Sequence, residues 1–156
     1  MATSAVPAAI DALLTIFRAA PGLAGVTIID GPPVQDMSGR DFLAVGWSLA
    51  NEASTAAEAS QDFANAGARN RNEDFAITGW LESWTGDKDI APRRTRAYEL
   101  LAAVEDALRA TDAQPEAPTL LGTVLWAHLT SHSLHQSPAD GVRAGIAFTI
   151  TCRVRI

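Results

Sequence analysis

The sequence predicts an α+β fold, in which two helices pack on one face of a mostly antiparallel sheet of about five strands. Three observations support this prediction. The last stretch, Asp140–Ile156, alternates apolar with small or polar residues, as a strand does when one face is buried. The segments 5–20 and 92–110 carry apolar residues at helical spacing. Turns or loops join the remaining apolar runs, which favours antiparallel pairing.

The length and composition indicate one globular domain, 1–156. Hydrophobic residues make up 47% of the 156 residues and charged residues 19%, which is not the composition of a disordered chain. The net charge of −6 argues against wrapping nucleic acid, which needs a clustered basic face. The N-terminus lacks the basic region of a signal peptide, and no apolar run reaches the ~20 residues of a membrane span. We therefore expect a protein made and folded in a cytoplasm.

The first third of the chain predicts one helix and two strands. The helix at 5–20 is stopped by Pro21-Gly22. The β-branched run Val26–Asp30 is a short strand, which Gly31-Pro32-Pro33 breaks, and a polar loop continues to Arg40. Phe42–Leu49 then alternates as a second strand.

The second half of the chain predicts one helix and three longer strands. Asp74–Thr85 is the third strand, Pro92–Ala110 the second helix and Leu120–Leu134 the fourth strand. The terminal stretch contains no proline, so we expect it to be central or near-central in the sheet with its apolar face on the core. Cys152 lies on that apolar face and is expected to be a buried, unpaired residue.

Residues 50–73 differ in character from the rest of the chain. The segment is rich in alanine, serine, asparagine and charge, and only Phe63 is both large and apolar. Such a segment cannot bury enough surface to pack by itself. We expect an exposed loop or arm, which is a candidate for contact with a neighbouring chain.

Two tryptophans point to a second apolar face of the sheet. In the third strand Trp80 and Trp84 alternate with Phe75 and Ile77, so the two pairs lie on opposite faces. If the helices cover Phe75 and Ile77, something else must cover the two tryptophans. Another subunit would do so, because tryptophan is enriched in interfaces, and the alternative is that the 50–73 arm folds back over them.

Two patterns resemble chemical motifs without completing them. Gly46–Ala50 resembles the nucleophile elbow of hydrolases with its last glycine replaced, which leaves a small serine hydrolase using Ser48 as an alternative; that fold needs a helix directly after the serine. His128, His132 and His135 cluster, but two of them spaced four apart on one strand face lie ~13 Å apart, too far for one metal ion. We expect surface histidines and no catalytic, cofactor or metal site.

Much of the chain resembles the tail terminator, or tail-completion, proteins of long-tailed bacteriophages, especially those of actinobacterial phages and prophages. The segments that carry the resemblance are Asn70–Ile77, Trp84–Asp87, Arg94–Glu105 and the terminal strand with Arg153. The N-terminal helix followed by Phe42–Gly46 also fits. In coarse pattern the resemblance covers nearly the whole chain.

The resemblance implies a structural protein of the virion, with no cofactor and no reaction. Such proteins form a ring, usually of six subunits, that caps the tail tube and then docks onto the head connector. The subunit or tail-tube contacts would fall on the outer face of the sheet and on the arm, at Phe63, Arg69, Arg71, Trp80 and Trp84. Related head–tail joining proteins share the fold, and a small-molecule-binding α+β domain is a further alternative.

Overall fold

The protein is described here by a computed structural model, which covers residues 3–37, 39–50, 55–67, 69–138 and 141–156. Over these residues the chain forms two helices that pack against a six-stranded, mostly antiparallel sheet, so the predicted α+β class is confirmed. The elements in chain order are α1 (Val6–Ala19), β1 (Thr27–Asp30), β2 (Phe42–Val45), β3 (Ala57–Phe63), β4 (Arg71–Trp84), α2 (Ile90–Ala107), β5 (Trp126–Pro138) and β6 (Val142–Arg155).

The strands lie in the spatial order β1-β2-β4-β6-β5, and β3 also pairs with β4. β4 shares one edge between two strands: β2 pairs with residues 79–82 and β3 with residues 71–77. β1 and β2 are parallel and all other pairs are antiparallel. The terminal strand β6 lies between β4 and β5, which confirms its predicted central position.

Both helices lie on one face of the sheet and form the main core with it. Leu13 and Phe17 of α1 and Leu100 of α2 are buried in the same cluster as Ile77 of β4 and Ile150 of β6. Burying each such side chain stabilises the fold by about 1.5–3 kcal/mol. The alternation that predicted β4 and β6 thus corresponds to a real difference between the two faces.

The helix ends are fixed by local hydrogen bonds. The Asp89 carboxylate accepts from the Ala91 N–H at 3.2 Å, which caps the start of α2. The Ser4 hydroxyl accepts from the Val6 N–H at 3.1 Å at the start of α1, where Pro7 occupies the first turn. α1 ends at Ala19, before a short 3₁₀ turn at Pro21–Leu23.

The prediction of a loop over 50–73 is wrong for much of the segment. Ala57–Phe63 is a strand in register with β4, and residues 71–73 already belong to β4. Most side chains of β3 are exposed, as we expected of this segment. Residues 51–54 and 68 of the predicted arm lie outside the described residues.

Two other strand boundaries also differ from the prediction. The fourth strand begins at Trp126 and not at Leu120, because Leu120 and Leu121 have positive φ angles of 46° and 59° and belong to turns. β2 ends at Val45, since Gly46 adopts φ 77° and donates its N–H to the Thr78 carbonyl at 2.8 Å. Both boundaries depend on backbone conformations that the apolar pattern does not reveal.

Candidate subunit-contact surface

The β3–β4 hairpin carries two of the predicted contact residues. Phe63 ends β3 with 70% of its surface exposed, although it is a large apolar side chain. The tip of the hairpin is closed by the Ala64 N–H, which donates to the Asn70 carbonyl at 3.0 Å. Arg69 lies in this tip and is exposed. Both side chains are therefore free to meet another molecule.

Arg71, by contrast, is engaged within the chain. Its guanidinium donates to Gln61 Oε1 at 2.8 Å, and Gln61 Nε2 donates in turn to Glu73 Oε2 at 2.6 Å and to the Thr3 carbonyl at 2.8 Å. This network connects the hairpin to the N-terminus of α1. Arg71 thus fixes the strand pair next to the hairpin tip, a role that the sequence pattern did not indicate.

The buried Glu73 completes the same network. Its Oε1 accepts from the Ala5 N–H at 2.8 Å, so the carboxylate holds the backbone of the N-cap residue that precedes α1. Burial by itself raises the pKa of Glu73, but hydrogen bonds from Ala5, Gln61 and Ser4, together with the charge of Arg71, outweigh it and lower that pKa. Glu73 is fully buried and ionised at neutral pH as a result.

Trp80 lies on the face opposite the helices, as predicted, but it is only 2% exposed. The cover comes from this chain: Met37, in the loop between β1 and β2, packs with Phe42, Ala44 and Trp80 in a second small cluster. Neither another subunit nor the 50–73 segment is needed over this residue. Trp80 therefore cannot contact a partner without displacing that loop.

Trp84 is half-buried and holds a cation. The guanidinium carbon of Arg143 lies 4.2 Å from the centre of the Trp84 ring. The same guanidinium lies 3.7 Å from Glu82, whose side chain is 4% exposed. Burial raises the pKa of Glu82, and Arg143 and the indole N–H of Trp80 oppose that rise.

The β3 and β5 edges of the sheet differ in their charged and titratable residues. β3 contains Glu58 and Asp62 and no cationic residue. At the other edge, β5 contains no Asp, Glu, Lys or Arg, and its titratable residues are His128, His132 and His135. Sequence reasoning missed this asymmetry, because it appears only once β3 is known to be a strand and its place in the sheet is known.

Pairing registers place particular residues of the two edges level with each other. Glu58 lies opposite Ala76, Ala76 opposite Thr151, and Thr151 opposite His128. Glu58 and His128 therefore occupy the same cross-strand row, on the face away from the helices. The exposed Phe63 and Leu125, 70% and 61% exposed, both lie at the end of the sheet where β4 starts and β6 finishes.

Ser48 does not have the surroundings of a nucleophile elbow. It is 2% exposed, and its hydroxyl accepts from the Ala50 N–H at 3.2 Å in a turn. The described residues that follow it, 49–50 and 55–56, are not helical, whereas such a serine is followed directly by a helix. The geometry at Ser48 does not favour a hydrolase.

The three histidines of β5 each lie against a different aromatic ring. Ring-centre distances are 5.1 Å from His128 to Trp126, 5.6 Å from His132 to Tyr98, and 5.6 Å from His135 to Trp80. A register shift between Leu129 and Ser131 places His128 and His132 on opposite faces, so our expectation that they share a face is wrong. Within the described ranges, no group of His, Cys, Asp and Glu side chains could hold a metal ion.

A cavity of ≈ 720 Å³ lies between the end of α1 and the middle of α2. Its walls include Ala102, Ala103 and Ala107. Its charged residues include Arg96, which pairs with Asp41 at 2.9 Å, so that cation is already neutralised. The cavity is a groove of small side chains with no converging set of unpaired polar groups.

Comparison with known proteins adds no family to these observations. No protein-family model matches the sequence, and no curated protein is significantly similar to it. In the part of the chain that the structure describes, no helix has the length and apolar character needed to cross a membrane.

Proposed function

We propose that this protein is a structural virion assembly protein, a phage tail terminator whose copies form a ring that caps the tail tube and joins it to the head connector. The resemblance of the sequence to that family names the role. The observation that carries the proposal is the chemistry of the β3 and β5 edges: one carries carboxylates, the other carries histidines, and the two lie level with each other. Such a subunit is suited to contact the next copy of itself.

The two edges are open for contact. Among the described strands, β3 has a partner only on its β4 side and β5 only on its β6 side. Edge strands with free backbone groups attract other chains unless something covers them. β5 is interrupted by the register shift after Leu129 and ends at Pro138, which disfavours continuous backbone pairing. We therefore expect the copies to meet mainly through side chains.

If neighbouring copies are related by a rotation about an axis parallel to the strands, they lie side by side with their strands pointing in the same direction. The β3 edge of one copy would then face the β5 edge of the next. Because Glu58 and His128 share a row, they would meet in that contact, and Phe63 would come close to Leu125 at the same end. A contact between two different surfaces generates a closed ring when the rotation closes.

The carboxylates of β3 also disfavour the alternative arrangement, a two-fold dimer in which two β3 edges meet. A two-fold dimer through β3 would bring Glu58 and Asp62 near the same residues of the partner, and like charges repel. The hairpin tip with Arg69 would remain outside the ring contact and available to the tail tube or connector. The exposed β3 edge thus contributes to self-association, and the tip to the next partner.

The test of the function is the solution mass of the purified protein across a concentration series, with negative-stain images of the same sample. We expect closed rings, and we expect added protein to stop growth of tail tubes assembled from the tube protein of the same phage. A neighbouring head–tail joining protein would form rings without stopping tube growth. A chain that remains monomeric up to about 1 mM contradicts the proposal.

The contact itself is tested by exchanging charges across it. Glu58→Arg alone and His128→Glu alone should each weaken assembly about tenfold, which corresponds to about 1.4 kcal/mol. The double variant restores a complementary pair and should recover assembly. Asp112→Arg, an exposed change after α2, is the matched control. Rings that form equally well in both single variants would reject the contact and leave the ring itself standing.

A further inference from the structure

The charge across the proposed ring contact depends on pH, because one of its two edges is charged only through histidine. β3 carries Glu58 and Asp62, whereas β5 carries no Asp, Glu, Lys or Arg. Surface carboxylates are ionised above about pH 5.5, and histidine is the side chain whose ordinary titration falls between about pH 5 and pH 8. The β5 edge therefore changes from neutral to cationic as the pH falls, while the β3 edge stays anionic.

Of the three histidines on β5, only His128 lies level with β3. β3 pairs with residues 71–77 of β4, and this part of the sheet continues through β6 to residues 126–129 of β5. The other two histidines lie level with residues 79–82 of β4, where β2 and not β3 is the neighbouring strand. The histidine that meets a carboxylate of the next copy in this contact is therefore His128.

The surroundings of His128 accommodate a charged ring. The side chain is exposed on the face away from the helices, and its ring is stacked on that of Trp126 with 5.1 Å between the ring centres. A cationic ring is attracted to the face of an indole. Among the described residues, the charged groups that face His128 are Arg153, diagonally opposite on β6, and Asp74 of β4. Asp74 lies 3.7 Å from Arg153 and offsets its charge.

We propose that protonation of His128 controls assembly, so that the contact between copies is stronger at about pH 5.5 than at about pH 8. The inference rests on the proposed function, because it concerns the contact of Glu58 with His128. Approach of the Glu58 carboxylate of the next copy favours the charged form of the imidazole, so copies take up protons as they associate. Association is therefore favoured as the pH falls and weakens as the pH rises through the range in which histidine titrates.

The test measures ring formation against protein concentration by analytical ultracentrifugation at about pH 5.5 and about pH 8. A partly exposed ion pair supports a difference of about fivefold in the association constant for each contact. We expect rings to form at lower protein concentration at the lower pH. The net charge of −6 on each copy also becomes smaller at low pH, which reduces repulsion between copies at any surface. Variants must separate this general effect from that of His128.

His128→Gln and His128→Lys make that separation. His128→Gln cannot gain charge, so it should assemble at both pH values about as weakly as wild type does at pH 8. His128→Lys carries a fixed cation and should assemble at both pH values about as well as wild type does at pH 5.5. His132→Gln is the matched control, because His132 lies on the other face against Tyr98, and it should keep the pH dependence of wild type.

The outcomes distinguish this proposal from the one on which it rests. Wild-type rings that form equally well at both pH values would overturn control by pH and leave the ring standing. A His128→Gln variant that keeps the full pH dependence would overturn the assignment to this residue in the same way. Chains that stay monomeric at both pH values, in wild type and in His128→Lys, would contradict both proposals.

Discussion

Replacing Glu73 by glutamine should weaken the fold without changing its shape. The two carboxylate oxygens accept from the Ala5 N–H at 2.8 Å and from Gln61 Nε2 at 2.6 Å. In Glu73→Gln one oxygen becomes an amide NH₂, which then faces a donor whichever way the group is turned. A buried donor is left without an acceptor in either case.

The structure sets the size of this effect. A hydrogen bond to a charged group contributes about 1.5–3 kcal/mol, and the unpaired donor that replaces it is buried. We therefore expect the free energy of unfolding to fall by about 2–3 kcal/mol. For a chain of this length, that lowers the melting temperature by about 4–12 °C.

Urea denaturation followed by far-ultraviolet circular dichroism at pH 7 measures the change. Glu116→Gln is the matched control, because Glu116 is an exposed carboxylate in the α2–β5 connection, outside the proposed ring contact. Its effect should stay within about 0.5 kcal/mol. A Glu73→Gln variant that is as stable as this control would refute the role assigned to the carboxylate.

The pH dependence gives an independent check. The pKa of Glu73 is lowered in the folded protein, below the usual value of 4.5. A depressed carboxyl pKa contributes stability that is fully present above the unfolded pKa and is lost as the pH falls through the folded pKa. The difference between wild type and Glu73→Gln should be constant at neutral pH and shrink below about pH 4.5. A difference that does not shrink would contradict the explanation.

Three further changes test other parts of the structure. Gly145→Ala should cost about 1–3 kcal/mol in urea denaturation, because the added methyl group displaces the Trp80 ring; an unchanged midpoint would count against that packing. Cys152 should react with a disulfide reagent at pH 8 ~100-fold more slowly in the folded than in the unfolded protein, since burial raises its pKa to about 12; equal rates would place the thiol at the surface. Arg96→Ala should cost about 1 kcal/mol by thermal denaturation, because it removes the 2.9 Å pair with Asp41 at a partly exposed site, and Asp41→Ala should add little once Arg96 is gone.

Sequence patterns predicted the elements whose own residues decide their structure. β6 alternates along its whole length, and its buried residues Ile146, Phe148 and Ile150 are those that the pattern placed on the core. α2 was predicted for the same reason, from apolar residues at helical spacing. In these segments the local pattern and the tertiary environment agree.

β3 was missed because its partner decides its structure. Alanine, serine and glutamate have low β-propensity, and nothing in residues 57–63 alone favours a strand. The backbone of β4 supplies the hydrogen bonds that make it one. At Leu120 and Leu121 the error was the opposite one, a strand predicted where there is none. The apolar pattern of β5 extends back to these residues, but their backbone forms turns.

The candidate contact surface was only partly predictable for the same reason. Composition placed Phe63 in an exposed segment, and it is exposed. Alternation placed Trp80 on the outer face correctly, but no pattern indicated that Met37 from a distant loop would cover it. The level arrangement of Glu58 and His128 depends on three pairing registers, which a sequence does not specify.

The central position of β6 has a consequence for how fast the protein folds. Its neighbour β4 is distant along the chain: Asn72 and Arg155, which pair across the sheet, are 83 residues apart. The β3–β4 and β5–β6 hairpins are local and can form early. Pairing β4 with β6 closes a long loop, and the entropy lost in closing that loop must be paid before the contacts between the two strands stabilise the sheet. We expect the pairing of β4 with β6 to limit the folding rate. Changes along that junction should then slow folding, and changes on the β3 edge should mainly speed unfolding.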